Sequence, residues 1–275
     1  MDIQRLAAFA DGETGGNPAG IVICNELPAA EDMQRIAHEV GYSETAFAAP
    51  QDSAWRVRYF SPESEVPFCG HATIALGAAL AMRRGNGVYP LELNLASINV
   101  EGQQVDGQLS AALQSPPTRS APAPDNLLDQ ALALFGYNRA ALDTLIAPAL
   151  ANGGADHLLI MLNSRKQLAA MHYDQEAGRK LMNDAGLVTI LLGYAQTPQL
   201  IHSRNPFASG GVYEDPATGA ATAALAGYLR DISWPHNGQI EIIQGEDMGM
   251  RSRITAQIPP TPGASIRVSG AVRTL

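Results

Sequence analysis

One apolar segment of the chain occurs twice. Residues 69–80 read CGHATIALGAAL, and residues 218–229 read TGAATAALAGYL. The segments share a residue at six aligned positions, which are Gly70/Gly219, Ala72/Ala221, Thr73/Thr222, Ala75/Ala224, Leu76/Leu225 and Leu80/Leu229. A helix that is apolar on every side has no face to offer water, so it must be buried. The repeat therefore predicts a duplicated unit with one buried helix at the centre of each copy.

Chain length and a proline-rich segment set the expected domain boundaries. A chain of 275 residues with 46% hydrophobic residues can bury two separate cores. Residues 114–126 read QSPPTRSAPAPDN, a composition that disfavours both helix and sheet. We expect an N-terminal domain at 1–114, a linker at 115–126 and a C-terminal domain at 127–275, with the final strand pairing back across the interface.

Composition argues against several classes of partner. The net charge is −9, and the only lysines, Lys166 and Lys180, form no basic cluster that could neutralise a row of phosphates. The sequence has neither a run of 18 or more apolar residues nor the pattern of a signal peptide. We therefore expect a cytoplasmic protein that binds neither nucleic acid nor membrane. Two cysteines are too few for a disulfide framework.

The familiar cofactor motifs are missing from the sequence. No GxGxxG segment or P-loop is present, and the six histidines do not have the spacing of metal ligands. Pyridoxal phosphate would need a Schiff-base lysine, and both lysines lie in a polar stretch far from the repeated segments. The sequence predicts a reaction without cofactor or metal.

The polar residues of each copy lie where its apolar helix begins. Cys69 and His71 open the first helix, and Asp215 and Thr218 precede the second, while Glu44 opens an otherwise apolar strand. A helix start offers unpaired N–H groups and the positive end of its dipole, which suit a carboxylate or phosphate. If the two halves face each other, both helix starts converge on one cleft. The periodicity is equally consistent with two ordinary core helices that follow glycine turns.

A family resemblance rests on six motifs in a fixed order. These are GNPAG (16–20), SETAF (43–47), PESEVPFCGHAT (62–73), SRNPFA (203–208), EDPATG (214–219) and QGEDMG (244–249). The chain resembles the PhzF-like family of phenazine biosynthesis along nearly its full length. The resemblance implies an α+β fold of two similar diaminopimelate-epimerase-like domains. Each would be a curved, mostly antiparallel sheet wrapped around a central helix, with the active-site cleft between the domains, and a homodimer is implied as well.

The resemblance also implies a reaction and its residues. Glu44 takes the place of the family's general acid/base, and His71 and Asp215 that of its other catalytic residues. In the family's phenazine enzyme the glutamate is thought to move a proton between carbons of a dihydro-hydroxyanthranilate ring without a cofactor. We therefore expect an isomerase or epimerase of a small carboxylate-bearing substrate. Further substrate contacts are expected from the turn residues and first-turn residues Asn17, Ser43, Gly70, Ala72, Thr218, Gly219 and Ala220.

Each of these assignments has an alternative. A glutamate that opens a strand is often a solvated edge residue, Asp215 could simply cap the following helix, and His71 could be structural. Cys69 stands where diaminopimelate epimerase and proline racemase, which share the fold, carry the first of two catalytic cysteines. Thr218 occupies the second position, so a symmetric two-thiol racemase is disfavoured, while a mixed pair with Cys69 stays open. A non-catalytic binding or assembly protein on the same fold is the third hypothesis.

One loop departs from the family pattern. The family usually shows a Gly-Arg-Pro-Ser run at the position where this chain has GMRS (249–252). The arginine is shifted and the proline is lost. We expect the fold to be unchanged and the substrate preference to be altered.

Overall fold

The computed structural model describes residues 2–275, which form two compact units. Unit 1 comprises the described residues up to Gln114 together with Ser269–Leu275, and unit 2 comprises Ser115–Val268. Both units combine helices with mostly antiparallel strands, which confirms the predicted α+β class. Within residues 2–275, no helix is both long enough and apolar enough to cross a membrane.

Unit 1 carries its helices on a single sheet. The helices are α1 (Ala30–Val40) and α2 (Gly70–Arg84). The strands are β1 (Gln4–Ala10), β2 (Asn17–Ile23), β3 (Thr45–Gln51), β4 (Ala54–Phe60), β5 (Glu65–Val66), β6 (Gly87–Glu92), β7 (Ser97–Val105) and β8 (Gln108–Pro117). Their order in the sheet is β1-β2-β3-β4-β6-β7-β8, and β5 pairs with β4.

Unit 2 has the same general composition with more helices. These are α3 (Asp125–Leu134), α4 (Arg165–Ala169), α5 (Gln175–Asp184) and α6 (Gly219–Asp231). The strands are β9 (Arg119–Pro122), β10 (Ala149–Asn152), β11 (Asp156–Met161), β12 (Thr189–Ala195), β13 (Leu200–Arg204), β14 (Pro206–Phe207), β15 (Val212–Glu214), β16 (Gln239–Gln244), β17 (Ser252–Gln257) and β18 (Ser265–Thr274). The sheet order is β9-β10-β11-β12-β13-β16-β17, and β14 and β15 form a separate hairpin. The end of β18 belongs to unit 1, where it pairs antiparallel with β1.

The strand directions confirm the duplication. In unit 1 the successive pairs β1/β2, β2/β3, β3/β4, β4/β6 and β6/β7 alternate between antiparallel and parallel. In unit 2 the pairs β10/β11, β11/β12, β12/β13, β13/β16 and β16/β17 follow the same alternation. The parallel pairs are joined by helices in both units, with α2 between β4 and β6 and α6 between β13 and β16. A parallel pair needs such a crossover connection.

The two repeated helices are the buried centres of their units. Every residue of α2 from His71 to Ala81 is buried, and so is every residue of α6 from Ala221 to Arg230. Helix α2 packs against β1, β2 and β7, and α6 packs against β9, β10 and β17. A Cβ atom on Gly102 of β7 would overlap the carbonyl group of Gly77 in α2. Glycine at both positions therefore lets this helix and strand approach closely.

Each sheet also buries its second face. In unit 1, Met33, Ile36 and Ala37 of the amphipathic helix α1 pack with Val22 and Phe47. In unit 2, residues of α3 and α5 pack with apolar residues of β11 and β12. In unit 1, the packing of α1 holds β3 in a fixed position, and with it the preceding segment that carries Ser43 and Glu44.

The prediction that residues 115–126 lie outside any sheet was wrong. Strand β8 continues to Pro117, and β9 pairs antiparallel with β10, with Pro122 opposite Ala149. Strand β9 lies at the end of the unit 2 sheet order, where a proline removes no hydrogen bond that the sheet requires. Pro122 therefore lies in an edge strand, and a proline-rich composition alone did not distinguish such a strand from a free linker.

Candidate active site

Four of the predicted residues lie together in unit 1. Ser43 and Glu44 directly precede β3, Cys69 caps the N-terminus of α2, and His71 is the second residue of that helix. The His71 Nε2 atom lies 3.4 Å from Glu44 Oε2 and 3.4 Å from Ser43 Oγ. Cys69 Sγ lies 3.3 Å from His71 Nδ1 and 4.0 Å from Nε2. The imidazole thus connects a carboxyl group with a thiol.

The cluster of Ser43, Glu44, Cys69 and His71 is largely shielded from bulk water but is still accessible to a small molecule. The side chains of His71 and Glu44 are 7% and 16% exposed. Ser43 is exposed, and Phe68, just before Cys69, is 42% exposed. Electrostatic interactions are stronger in such a partly dehydrated environment than in water. A small molecule that reaches Ser43 would also meet the imidazole bonded to it.

A buried hydrogen-bond chain fixes the start of α2. The hydroxyl groups of Tyr59 and Thr73 lie 2.7 Å apart, and Thr73 Oγ1 donates to the carbonyl oxygen of Cys69 at 2.6 Å. Burial raises the pKa of Tyr59 well above its ordinary value, so the phenol stays protonated. Sequence reasoning missed both roles. Tyr59 belongs to the alternating apolar pattern of β4, which predicts only a core residue.

The first turn of α2 supplies donors for an anion. The first intrahelical hydrogen bond runs from the Thr73 N–H to the Cys69 carbonyl oxygen at 3.0 Å. The N–H groups of Gly70, His71 and Ala72 precede this bond and have no partner within the helix. Gly70 is half-buried and Ala72 is fully buried, so we expect any contact from these residues to come from the backbone. This arrangement favours a substrate that carries a carboxylate.

A second group of predicted residues lies in unit 2. Thr218 occupies the N-cap position of α6 and makes no side-chain cap bond; its Oγ1 donates instead to Asp215 Oδ2 at 2.5 Å. The buried Gln244 joins both residues, because its Nε2 donates to the Asp215 carbonyl oxygen at 2.7 Å and its Oε1 accepts from the Thr218 N–H at 3.1 Å. Gly219 and Ala220 form the first turn of α6 and are half-buried. Gln244 was not predicted, although it opens the QGEDMG motif.

A buried ion pair supports the same segment. Arg204 Nε and Nη2 donate to the two carboxylate oxygens of Glu214 at 2.9 and 2.5 Å. The Asp215 N–H donates to the carbonyl oxygen of Asn205 at 3.0 Å. Arg204 and Glu214 belong to the SRNPFA and EDPATG motifs. These motifs therefore include residues that hold Asp215 in place.

Two further predicted features lie elsewhere in their units. Asn17 is buried at the start of β2, opposite Ala8 of β1, and its role in binding stays a prediction. In the divergent loop, Arg251 pairs with Glu246, which also pairs with Arg165. The shifted arginine is thus engaged with a carboxylate of its own unit.

Comparison with known proteins identifies similar sequences and structures. The family model described as "Phenazine biosynthesis-like protein" matches residues 6–273. The chain is 33% identical over 273 residues to a trans-2,3-dihydro-3-hydroxyanthranilate isomerase of Pseudomonas aeruginosa, which covers 96% of this chain and 91% of that protein. The crystal structure of a PhzF-family phenazine biosynthesis protein of Bacillus anthracis superposes with a TM-score of 0.87 at 21% identity, over 99% of this chain and 96% of the other. A hydroxyproline epimerase of Agrobacterium vitis superposes with a TM-score of 0.64 at 13% identity, over 99% and 90% of the two chains. The structural matches confirm the predicted epimerase-like fold.

Proposed function

Since the chain belongs to the phenazine biosynthesis-like protein family and is an isomerase, we propose that it moves a proton between carbon atoms of a small carboxylate-bearing molecule without a cofactor. The contact between Glu44 and His71, 3.4 Å long and largely buried, is the observation that carries this proposal. It places a carboxylate beside a second group that can hold a proton.

In the proposed reaction Glu44 is the general base and then the general acid. Its carboxylate takes a proton from a substrate carbon and returns it to another, so no net charge is left on the enzyme. The negative charge that develops on the substrate is stabilised by the N–H groups of the first turn of α2. His71 donates a hydrogen bond to Glu44 or to the substrate. Cys69 occupies the N-cap position of α2 and takes no part in the proton transfer.

The substrate class follows from the relative and from the helix start. The Pseudomonas aeruginosa relative is named for trans-2,3-dihydro-3-hydroxyanthranilate. Such a molecule carries a carboxylate, an amine and a hydroxyl group, and the carboxylate suits the N–H groups of Gly70, His71 and Ala72, which have no partner within the helix. We propose this compound and related amino and hydroxy acids as the first substrates to test.

Asp215 is proposed to bind the substrate's amine or hydroxyl group. Its Oδ2 already accepts a hydrogen bond from Thr218. A carboxylate has further acceptor sites, so this bond does not exhaust its capacity. We expect Asp215→Asn to raise KM more than it lowers kcat, because the charge acts in binding.

The experiment that tests the proposal is deuterium incorporation from heavy water. Each candidate compound is incubated with wild type, Glu44→Gln, Cys69→Ala and Glu63→Gln, and incorporation is followed by NMR. Glu63 is an exposed glutamate in the segment before α2, so its variant controls for loss of charge near the site. We expect exchange to disappear in Glu44→Gln and to persist in Cys69→Ala and Glu63→Gln. Exchange that persists in Glu44→Gln contradicts the proposal.

One observation favours a second candidate function. The Cys69 thiol lies 3.3 Å from an imidazole nitrogen, which is the arrangement that activates a thiol as a base. Exchange lost in Cys69→Ala and kept in Glu44→Gln would identify a thiol-dependent racemase. No exchange with any compound in the panel would mean that the proposed substrate class is wrong.

The homodimer stays a prediction, which sedimentation velocity tests directly.

A further inference from the structure

We propose that Glu44, Cys69 and His71 form a zinc site that inhibits the enzyme. Cys69 and His71 are separated by a single residue and Glu44 lies in a different segment of the chain, a pattern that lacks the spacing by which metal sites are usually identified. In the structure, one ligand atom from each lies within 4.8 Å of the other two. A thiolate, an imidazole and a carboxylate are ligands that Zn²⁺ accepts, and three protein ligands leave a fourth position open.

One of the distances between ligand atoms already matches a tetrahedral zinc ion, and the thiol lies a little farther away. With Zn²⁺ bonds of about 2.3 Å to sulfur and about 2.0–2.1 Å to nitrogen and oxygen, neighbouring ligand atoms lie about 3.3–3.6 Å apart. His71 Nε2 and Glu44 Oε2 are separated by 3.4 Å. Cys69 Sγ lies 3.3 Å from Nδ1 and 4.0 Å from Nε2 of the same ring. Nε2 is the ring nitrogen that faces Glu44, so binding requires the Cys69 and His71 side chains to rotate until the 4.0 Å between Sγ and Nε2 shortens to about 3.6 Å.

The surroundings of the three ligands also suit a metal ion. Cys69 and His71 are buried, and Glu44 is 16% exposed, so few waters compete for the ion. The bond from Thr73 Oγ1 to the Cys69 carbonyl oxygen holds the thiol-bearing residue in place. Ligands that are already positioned lose less freedom on binding. When Zn²⁺ binds, the Cys69 S–H bond breaks, the proton passes to solvent, and the sulfur electron pair forms the bond to the metal.

Binding would block the reaction because it occupies the electron pair that Glu44 uses to take a proton. This inhibitory part rests on the proposed function, whereas binding itself does not. The two parts can therefore fail separately, and the experiment measures them separately.

Metal binding is measured with Co²⁺, whose bond to a thiolate gives a charge-transfer absorption band in the near ultraviolet. Cys24→Ser is the matched control, since Cys24 is the only other cysteine and its thiol donates to the Ala48 carbonyl oxygen. We expect one Co²⁺ per chain, a band in wild type and Cys24→Ser, and no band in Cys69→Ser. Zn²⁺ added to the cobalt protein should abolish the band.

Loss of either remaining ligand should weaken binding. Replacing an outer-sphere partner of a metal ligand costs roughly 10–100-fold in affinity, and losing a ligand should cost at least as much. We therefore expect Glu44→Gln and His71→Gln to bind Zn²⁺ at least about tenfold more weakly than wild type, as measured by calorimetry. Circular dichroism without metal checks that each variant is folded, and Cys69→Ala replaces Cys69→Ser if the latter is not. A band that survives in both Cys69 variants, or wild-type affinity in both ligand variants, overturns the site.

Inhibition is measured by deuterium exchange with and without Zn²⁺. We expect saturating Zn²⁺ to abolish exchange in wild type and Cys24→Ser, and a chelator to restore it. If exchange continues in wild type with the site shown to be saturated, the inhibitory role is wrong. If no exchange occurs before Zn²⁺ is added, the proposed function fails, and the cobalt experiment still decides whether the site exists.

Discussion

Breaking the Arg204–Glu214 ion pair should destabilise unit 2 strongly. The Arg204 and Glu214 side chains are 9% and 3% exposed, and the guanidinium also donates to the carbonyl oxygens of Ala169 and Met171. Glu214→Gln keeps the shape of the side chain and removes its charge. The guanidinium would then be buried without a counter-ion, which costs about 3–5 kcal/mol. Because glutamine can still accept one hydrogen bond, we expect a loss near the lower end, about 3 kcal/mol.

The matched control is an exposed pair in the same unit. Lys180 and Asp184 lie one helical turn apart in α5, with side chains 77% and 64% exposed. Asp184→Asn should change the free energy of unfolding by only about 0.3–0.5 kcal/mol. Urea unfolding followed by circular dichroism measures both variants, and hydrogen exchange with mass spectrometry shows whether the loss falls in unit 2.

The effect of Glu214→Gln should reach the candidate site through the chain. Glu214 directly precedes Asp215, so loosening the pair should also increase hydrogen exchange in the segment before α6. A loss below about 1 kcal/mol, or one no larger than that of Asp184→Asn, would refute the reasoning, because it would mean that the buried guanidinium finds other compensation.

Three further predictions follow from buried polar groups. Burial lowers the pKa of His157 from 6.5 to about 4. The folded state therefore favours the neutral ring. The free energy of unfolding should have its full value above pH 6.5 and should decrease by about 3 kcal/mol as the pH falls toward 4. Urea unfolding across this pH range should show that the free energy of unfolding depends less on pH in His157→Asn than in wild type. The same pH dependence in both proteins would contradict the prediction. Tyr59→Phe removes the hydroxyl bonded to Thr73 and should cost about 1 kcal/mol in thermal unfolding, whereas no loss would show that the hydroxyl chain does not stabilise α2. Gln244→Leu removes the bonds to Asp215 and Thr218 and should cost about 1–3 kcal/mol and raise KM, while Gln239→Leu, an exposed position on the same strand, should change neither.

Periodicity and repetition were sufficient to predict the central helices. An apolar segment without a polar face can only be buried, and its recurrence predicted two similar units. Proline content was a poorer guide for residues 115–126, because a proline is compatible with an edge strand and the sequence does not show which strand is at an edge. Strand β9 pairs only with β10 in the unit 2 sheet, and this depends on the tertiary fold.

The candidate site could be predicted only in part. The family motifs led to Glu44, Cys69 and His71, and the structure brings these residues together. Their distances could not be read from the sequence, since Ser43 and His71 are 28 residues apart and meet only because β3 and the start of α2 lie side by side. Gln244 and Tyr59 were missed because each lies in a strand whose pattern indicates packing. Their hydrogen bonds depend on partners from other elements.

The two copies of the repeat have diverged where their helices begin. Cys69 and His71 of the first copy align with Thr218 and Ala220 of the second, so only the first helix carries a thiol and an imidazole in its opening residues. The shared threonines differ as well. Thr73 is bonded to Tyr59 and to the Cys69 carbonyl oxygen, whereas the buried Thr222 Oγ1 has no hydrogen-bond partner among residues 2–275. In both helices the first-turn N–H groups have no partner within the helix, which suits binding of an anion by either copy. Because a symmetric two-thiol mechanism would need the same base at both helix starts, this divergence favours proton transfer by Glu44 beside the first.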